Sequence, residues 1–108
     1  MTSGADSVFV AISDPTRRAI LDRLAEGPTR VTDVAAPFSM SLNAVSKHVK
    51  VLERAGLVRR ARQGREHVLE LDPEPLRAVA EWSSSLERYW NDRLDRLETF
   101  FAKEREKK

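Results

Sequence analysis

Apolar residues fall at helical spacing through four short segments, give way to two strand-like runs, and return to helical spacing for the last third of the chain. Residues 5–12 put Val8, Phe9 and Ile12 on one side, which predicts a first helix. Asp14-Pro15 restarts the chain: the carboxylate can cap, and a proline at the first helical position has no N–H to leave unpaired. Ile20, Leu21 and Leu24 form the stripe of a second helix, which Gly27-Pro28 ends. A third, short helix is predicted from a Thr32 cap through Val34 and Ala35. Pro37 stops it, and Phe38 and Met40 pack the following turn.

The next segment, SLNAVSKHVKVLERAGLV at residues 41–58, organises the rest. At about 100° per residue, Asn43, Ser46, Lys47, Lys50 and Arg54 share an arc of roughly 100°. Ala44, Val45, His48, Val49, Val51, Leu52 and Ala55 fill much of the other side. Ser41 is placed to cap the helix, and Gly56 to end it in a left-handed conformation. The polar arc carries amide, hydroxyl and cationic groups and no acid, which suits a helix inserted into a nucleic-acid groove. Taken alone, it equally describes an amphipathic helix with a solvated basic face.

The following run shifts that balance. Residues 57–62 and 66–71 read as two strands joined by Gln63-Gly64-Arg65, with Gly64 free to take φ > 0. Arg59, Arg60, Arg62 and Arg65 flank the turn. Charges on exposed hairpins also block edge pairing. Four arginines about a glycine tip are nonetheless better suited to backbone phosphates or a minor groove. A short helix, a tight connection, a helix with a polar outer face and a basic hairpin are the parts of a winged helix-turn-helix. The predicted fold is mainly α with a small β-hairpin, in the order α-α-α-α-β-β-α, as a single domain over residues 1–108.

Residues 75–106 read as one long helix of about 48 Å. Its apolar positions, from Leu76, Val79 and Trp82 to Phe100 and Phe101, spread over an arc of roughly 180°. The inner turns can cover their own domain. The outer turns extend beyond so small a domain, and the simplest cover for them is the same helix of a second copy. Ser83, Ser84 and Ser85 are placed to kink or weaken the helix, and the terminal KEREKK reads as solvated and frayed.

Composition narrows the class. With 108 residues, 41% hydrophobic and 33% charged, the chain is a globular domain with a modest core. It has no cysteine, which excludes disulfides, thiol redox sensing and thiolate metal sites. No secretory signal and no apolar run of membrane-spanning length is present, so the expected location is the cytoplasm, away from membranes. From residue 42 to 68, seven Lys and Arg stand against Glu53 and Glu66, a net of +5 in a chain whose total is +2. That concentration is the electrostatic footprint of a polyanion partner.

At this point the chain resembles the ArsR/SmtB family of small bacterial winged-helix repressors, in particular its branch lacking the familiar metal-binding motifs. The resemblance is carried by DPTRRAILDRLAEG at residues 14–27, SLNAVSKHVKVLERAGLVRR at 41–60 and GREHVLELDPEPL at 64–76. It implies a homodimer joined by the first and last helices, here through Val8, Phe9, Leu86, Trp90, Leu94, Leu97, Phe100 and Phe101. It also implies repression from a partly palindromic double-stranded operator. The family's DNA-facing positions fall on Leu42, Asn43, Ser46 and Lys47 and, in the wing, on Arg62, Gly64 and Arg65. Lys50, Arg54, Arg60 and Gln63 join these sites through their placement on the same helix and hairpin. Leu42 stands where a polar residue is common, and can touch a thymine methyl or pack inward. Asn43 can bond adenine; Lys47 and Lys50 can bind guanine or phosphate. The family's metal sites need cysteines, or His and acids on the last helix. His48 and His67 are the only histidines and neither lies there, so no metal and no cofactor is expected. Nothing in the sequence names a small-molecule effector. The rival reading is a winged-helix module that docks a protein and never reads DNA. An enzyme is remote, because no nucleophile–base pair or phosphate-cradling loop is present.

Overall fold

The computed structural model describes residues 4–106, in the order α1 (Gly4–Ile12), α2 (Pro15–Leu24), β1 (Thr29–Arg30), α3 (Val31–Ala35), α4 (Leu42–Arg54), β2 (Val58–Gln63), β3 (Glu66–Leu71) and α5 (Leu76–Glu106). Local chemistry sets most of these boundaries. The Asp14 carboxylate accepts from the Arg17 N–H at 3.0 Å, with Pro15 in the first turn of α2. Ser41 Oγ accepts from the Ala44 N–H at 3.1 Å, a cap whose loss typically costs about 1 kcal/mol. At the other end of α4, the N–H of Gly56 bonds to the Glu53 carbonyl and that of Leu57 to the Leu52 carbonyl. This 5→2 and 6→1 pair requires the left-handed residue that Gly56 supplies at φ 77°.

The C-terminus of α1 is closed by another helix. Its last turn carries no basic residue. Instead Arg17 donates from Nε to the Ala11 carbonyl at 2.6 Å and from Nη2 to the Val10 carbonyl at 3.0 Å. Arg18 donates to the Ile12 carbonyl at 2.7 Å. Both arginines of the DPTRR run therefore satisfy orphan carbonyls at the negative end of α1.

Three expectations are corrected. The sheet has three antiparallel strands in the order β1-β3-β2, not a bare hairpin. Thr29 pairs with Leu69 and Arg30 with Val68. Two residues carry no periodicity, so β1 exists only because the edge of β3 is there to receive it. For the same reason α3 begins at Val31 straight out of that strand, with Arg30 at the capping position and no side-chain cap. Thr32 lies inside the helix. Finally, Ser83–Ser85 do not interrupt α5, which runs through Glu106; the last two residues of the KEREKK tail lie outside the described residues.

The core is one cluster. Val45, Val49 and Leu52 of α4 meet Ile20, Leu21 and Leu24 of α2, Val34 of α3, Val8 and Ala11 of α1, and Leu57, Val58 and Leu69 from the base of the hairpin. The remainder of β2 is exposed, so the hairpin projects as a wing. Leu76 and Val79 at the start of α5 pack on this core. Trp82 meets Phe9 edge-on at 5.5 Å, yet remains 56% exposed. Beyond it α5 leaves the domain, which explains extents of 74 × 31 × 25 Å. Among the described residues, none in α5 is buried, and no helix is long and apolar enough to cross a membrane.

Candidate nucleic-acid interface

Burial of Val45, Val49 and Leu52 fixes the rotation of α4 and turns Asn43, Lys47, Lys50 and Arg54 outward. Ser46 is half-buried at the edge of that face. Leu42 is 50% exposed and does not pack into the core. Together with Ser46 it lines a groove of about 300 Å³, closed on the other sides by Arg30, Val31, Thr32, Arg60, Arg65, Glu66 and His67. The first turn of α4 and the base of the wing thus form one continuous surface.

Strand pairing runs from Val58 opposite Leu71 to Gln63 opposite Glu66, so Gln63 belongs to β2 and the wing turn is Gly64-Arg65 alone. Gly64 has φ 65° and Arg65 is not in the positive-φ region, the sign pattern of a type II′ hairpin turn. Arg62 folds over this tip, its Nε donating to the Gly64 carbonyl at 3.0 Å.

Ion pairing divides the arginines into two sets. Arg60 is tied back to α4 through Glu53 at 2.9 Å, and Arg59 lies 3.9 Å from Glu70. Arg60, expected as a wing contact, lines the groove and also ties the hairpin to α4. Lys47, Lys50, Arg54, Arg62 and Arg65 have no acid partner among the described residues. Both acids of the basic segment are occupied: Glu53 by Arg60, and Glu66 by Arg30 at 2.8 Å. Arg30 also reaches Asp33 at 3.2 Å, and the bond to Glu66 raises its pKa still further, so it stays a fixed cation beside the groove. Sequence reading missed Arg30 and Thr32 as groove residues, because only the pairing of β1 with β3 brings them there.

Arg54 stands apart from this cluster. It is twelve residues, or about 18 Å, along α4 from Leu42. There it lines a shallow depression with Ser7, Val10, Val51 and Ala55. His48 faces inward, with Nδ1 3.2 Å from Arg17 Nη1 and 3.8 Å from the Asp14 carboxylate. His67 is exposed in β3. No group of three or more metal-ligating side chains occurs among the described residues.

The residues expected at a dimer interface also separate. Leu86, Trp90, Leu94, Leu97, Phe100 and Phe101 are each 39–56% exposed. Phe9 is half-buried against Trp82. Val8 is corrected: at 2% exposure it belongs to the protomer's own core, because α1 turns that side onto α2 and α4.

Comparison with known proteins agrees with this geometry. A helix-turn-helix domain family matches residues 12–61. The HTH-type transcriptional regulator Rv2034 of Mycobacterium tuberculosis is 42% identical over 89 residues, covering 82% of this chain and 80% of that protein. The crystal structure of the ArsR family transcriptional regulator RHA00566 is 38% identical with a TM-score of 0.76, over 82% of this chain and 98% of that one. The chain belongs to the ArsR family of winged helix-turn-helix transcriptional regulators. As a member it is a DNA-binding regulator, and the family is not one of enzymes. A further relative, transcriptional repressor SdpR of Bacillus subtilis, is 36% identical over 77 residues, 71% of this chain and 86% of that protein. In this ArsR-family protein α2–α4 fall within the matched helix-turn-helix region, and the β2–β3 hairpin projects as the wing.

Proposed function

We propose that the protein is a homodimeric repressor that binds a partly palindromic operator without requiring a metal. The observation that carries this reading is the set of Lys47, Lys50, Arg62 and Arg65, which present unpaired charge from the recognition helix and the wing. In it, Asn43 and Ser46 read base edges, Leu42 offers an apolar contact to a thymine methyl, and the cations hold phosphates. Two copies are needed because a single small domain covers one half-site, and a two-fold dimer matches a two-fold operator. The exposed aromatic length of α5 supports that second copy. Metal independence is supported by the absence of cysteine and of any histidine in α5. Cytoplasmic location follows from the DNA target.

A labelled operator, obtained by selecting bound fragments of genomic DNA, tests the reading by titration across a salt series. Eight phosphate contacts from two copies of the four cations predict a slope of log affinity against log salt of about −7. A flat response, or no duplex affinity, would favour a module that docks a protein through the same face.

A further inference from the structure

We propose that the groove between the first turn of α4 and the base of the wing reads the C5-methyl group of a pyrimidine, so that operator binding responds to 5-methylcytosine as it does to thymine. The proposal rests on the reading of α4 as the helix that enters the major groove, and adds to it the chemical group this groove selects. Leu42 continues the apolar spacing of Val45, Val49 and Leu52 back to the first position of α4. Those three side chains are fully buried, whereas Leu42 is 50% exposed. Val31, half-buried at the start of α3, lines the same groove. An apolar wall therefore lies open on a face otherwise made of polar and charged groups.

The polar groups of the groove fit the rest of such a base. Ser46 also lines it, one turn along α4 from Leu42, or about 6 Å of rise. Thymine carries its methyl beside an O4 acceptor on the major-groove edge; 5-methylcytosine carries the same methyl beside an N4 donor. A hydroxyl can donate to the first or accept from the second, so Ser46 serves both bases and the methyl decides the affinity. The C5 position is also the part of that edge nearest the backbone of its own strand. Arg65, with no acid partner among the described residues, lines the groove from the wing and is placed to hold that backbone. Glu66, an acid lining the groove, is already held by Arg30 at 2.8 Å, which mutes its repulsion of phosphate.

A phosphate as the only occupant would set Leu42 and Val31 against an anion and leave their apolar surface uncovered. A methylated base edge covers that surface while its backbone reaches the cations at the rim. The groove, at about 300 Å³, has room for it. The size of the effect follows from transfer of one carbon out of water. A methyl buried on Leu42 and Val31 is worth about fourfold in affinity, and about fifteenfold when present in both half-sites.

Synthetic duplexes of the selected operator carry the test. Each thymine is replaced in turn by deoxyuridine, in both half-sites at once, which removes the methyl and nothing else. At one such position affinity is expected to fall about fifteenfold. That position is then made cytosine or 5-methylcytosine, each opposite guanine, so that the ratio between the two again isolates the methyl. The methylated duplex is expected to bind tighter by a similar factor. Both ratios are expected to shrink below about twofold in Leu42→Ala, whose side chain lies outside the core cluster, so the fold is kept. An operator bound tightly but indifferent to every deoxyuridine would overturn the methyl groove and leave the DNA reading standing. A methyl effect that persists in Leu42→Ala would place the contact on other residues and overturn it as well. An effect of deoxyuridine with none of 5-methylcytosine would mean that the groove reads thymine as a whole base, against the proposal. No duplex affinity in the unmodified protein would sink the DNA reading itself.

Discussion

Arg17 holds three helices together, and replacing it with methionine tests whether that junction stabilises the fold. Methionine keeps the apolar stem and removes every donor. The bond to the Val10 carbonyl is exposed, and that oxygen keeps the Ser13 N–H at 3.3 Å and the Ser13 hydroxyl at 2.7 Å, so its loss costs little. The bonds to the Ala11 carbonyl and to His48 Nδ1 are half-buried and have no replacement donor among the described residues. At about 1–1.5 kcal/mol each, Arg17→Met is expected to destabilise the protein by about 2–3 kcal/mol. Urea unfolding at fixed protein concentration measures this as a lower midpoint with an unchanged slope. Arg17→Lys should recover less than half of the loss, since an ammonium cannot reproduce a planar fork reaching three acceptors. A loss below about 0.5 kcal/mol for Arg17→Met would refute the reasoning and leave the junction a bystander.

Four other substitutions probe the remaining links. Arg65→Ala should weaken binding to every duplex alike and reduce the salt slope by about one phosphate per copy; an unchanged slope in the same titration would take the wing tip out of the interface. Asn43→Ala should relax one base preference per half-site at a cost of roughly 1–3 kcal/mol, read by repeating the selection of bound fragments. Leu97→Asp should split the dimer and lower operator affinity together, whereas a variant that sediments as a dimer would place the interface elsewhere. Asp14 carries the pH dependence. The Arg17 N–H, with His48 and the Arg17 guanidinium adding attraction, holds its carboxyl below the usual carboxylate range. A folded pKa below the unfolded one contributes stability that is complete above the unfolded value and is lost as pH falls through the folded one. Acid unfolding should therefore lose that component in Asp14→Asn, and an unaltered acid limb would contradict the assignment.

Most of the candidate surface's local structure was legible along the chain because its signals are local. Ser41 and Gly56 bound α4 through bonds reaching three to five residues. Val45, Val49 and Leu52 fix which side of it faces out. Gly64 marks the wing tip by its backbone alone. Charge crowding between residues 42 and 68 is a property of composition and needs no fold to be seen.

What the chain could not declare depends on residues far apart. Whether an arginine is free or engaged is decided by which acid the fold brings within about 4 Å. Arg60 and Arg65 look alike in sequence, yet only Arg60 finds Glu53, seven residues away across the turn into the wing. Arg30 enters the groove because a two-residue strand pairs with β3, 36 residues away from its Glu66 partner. Val8 and Phe9 are adjacent and equally apolar, and only the seat of α1 on α2 and α4 sends the first into the core and the second toward α5. Caps, turns and amphipathic faces follow from short-range sterics and hydrogen bonding, so the sequence determines them by itself. Ion pairs and burial follow from distances between elements, and those exist only once the chain has packed.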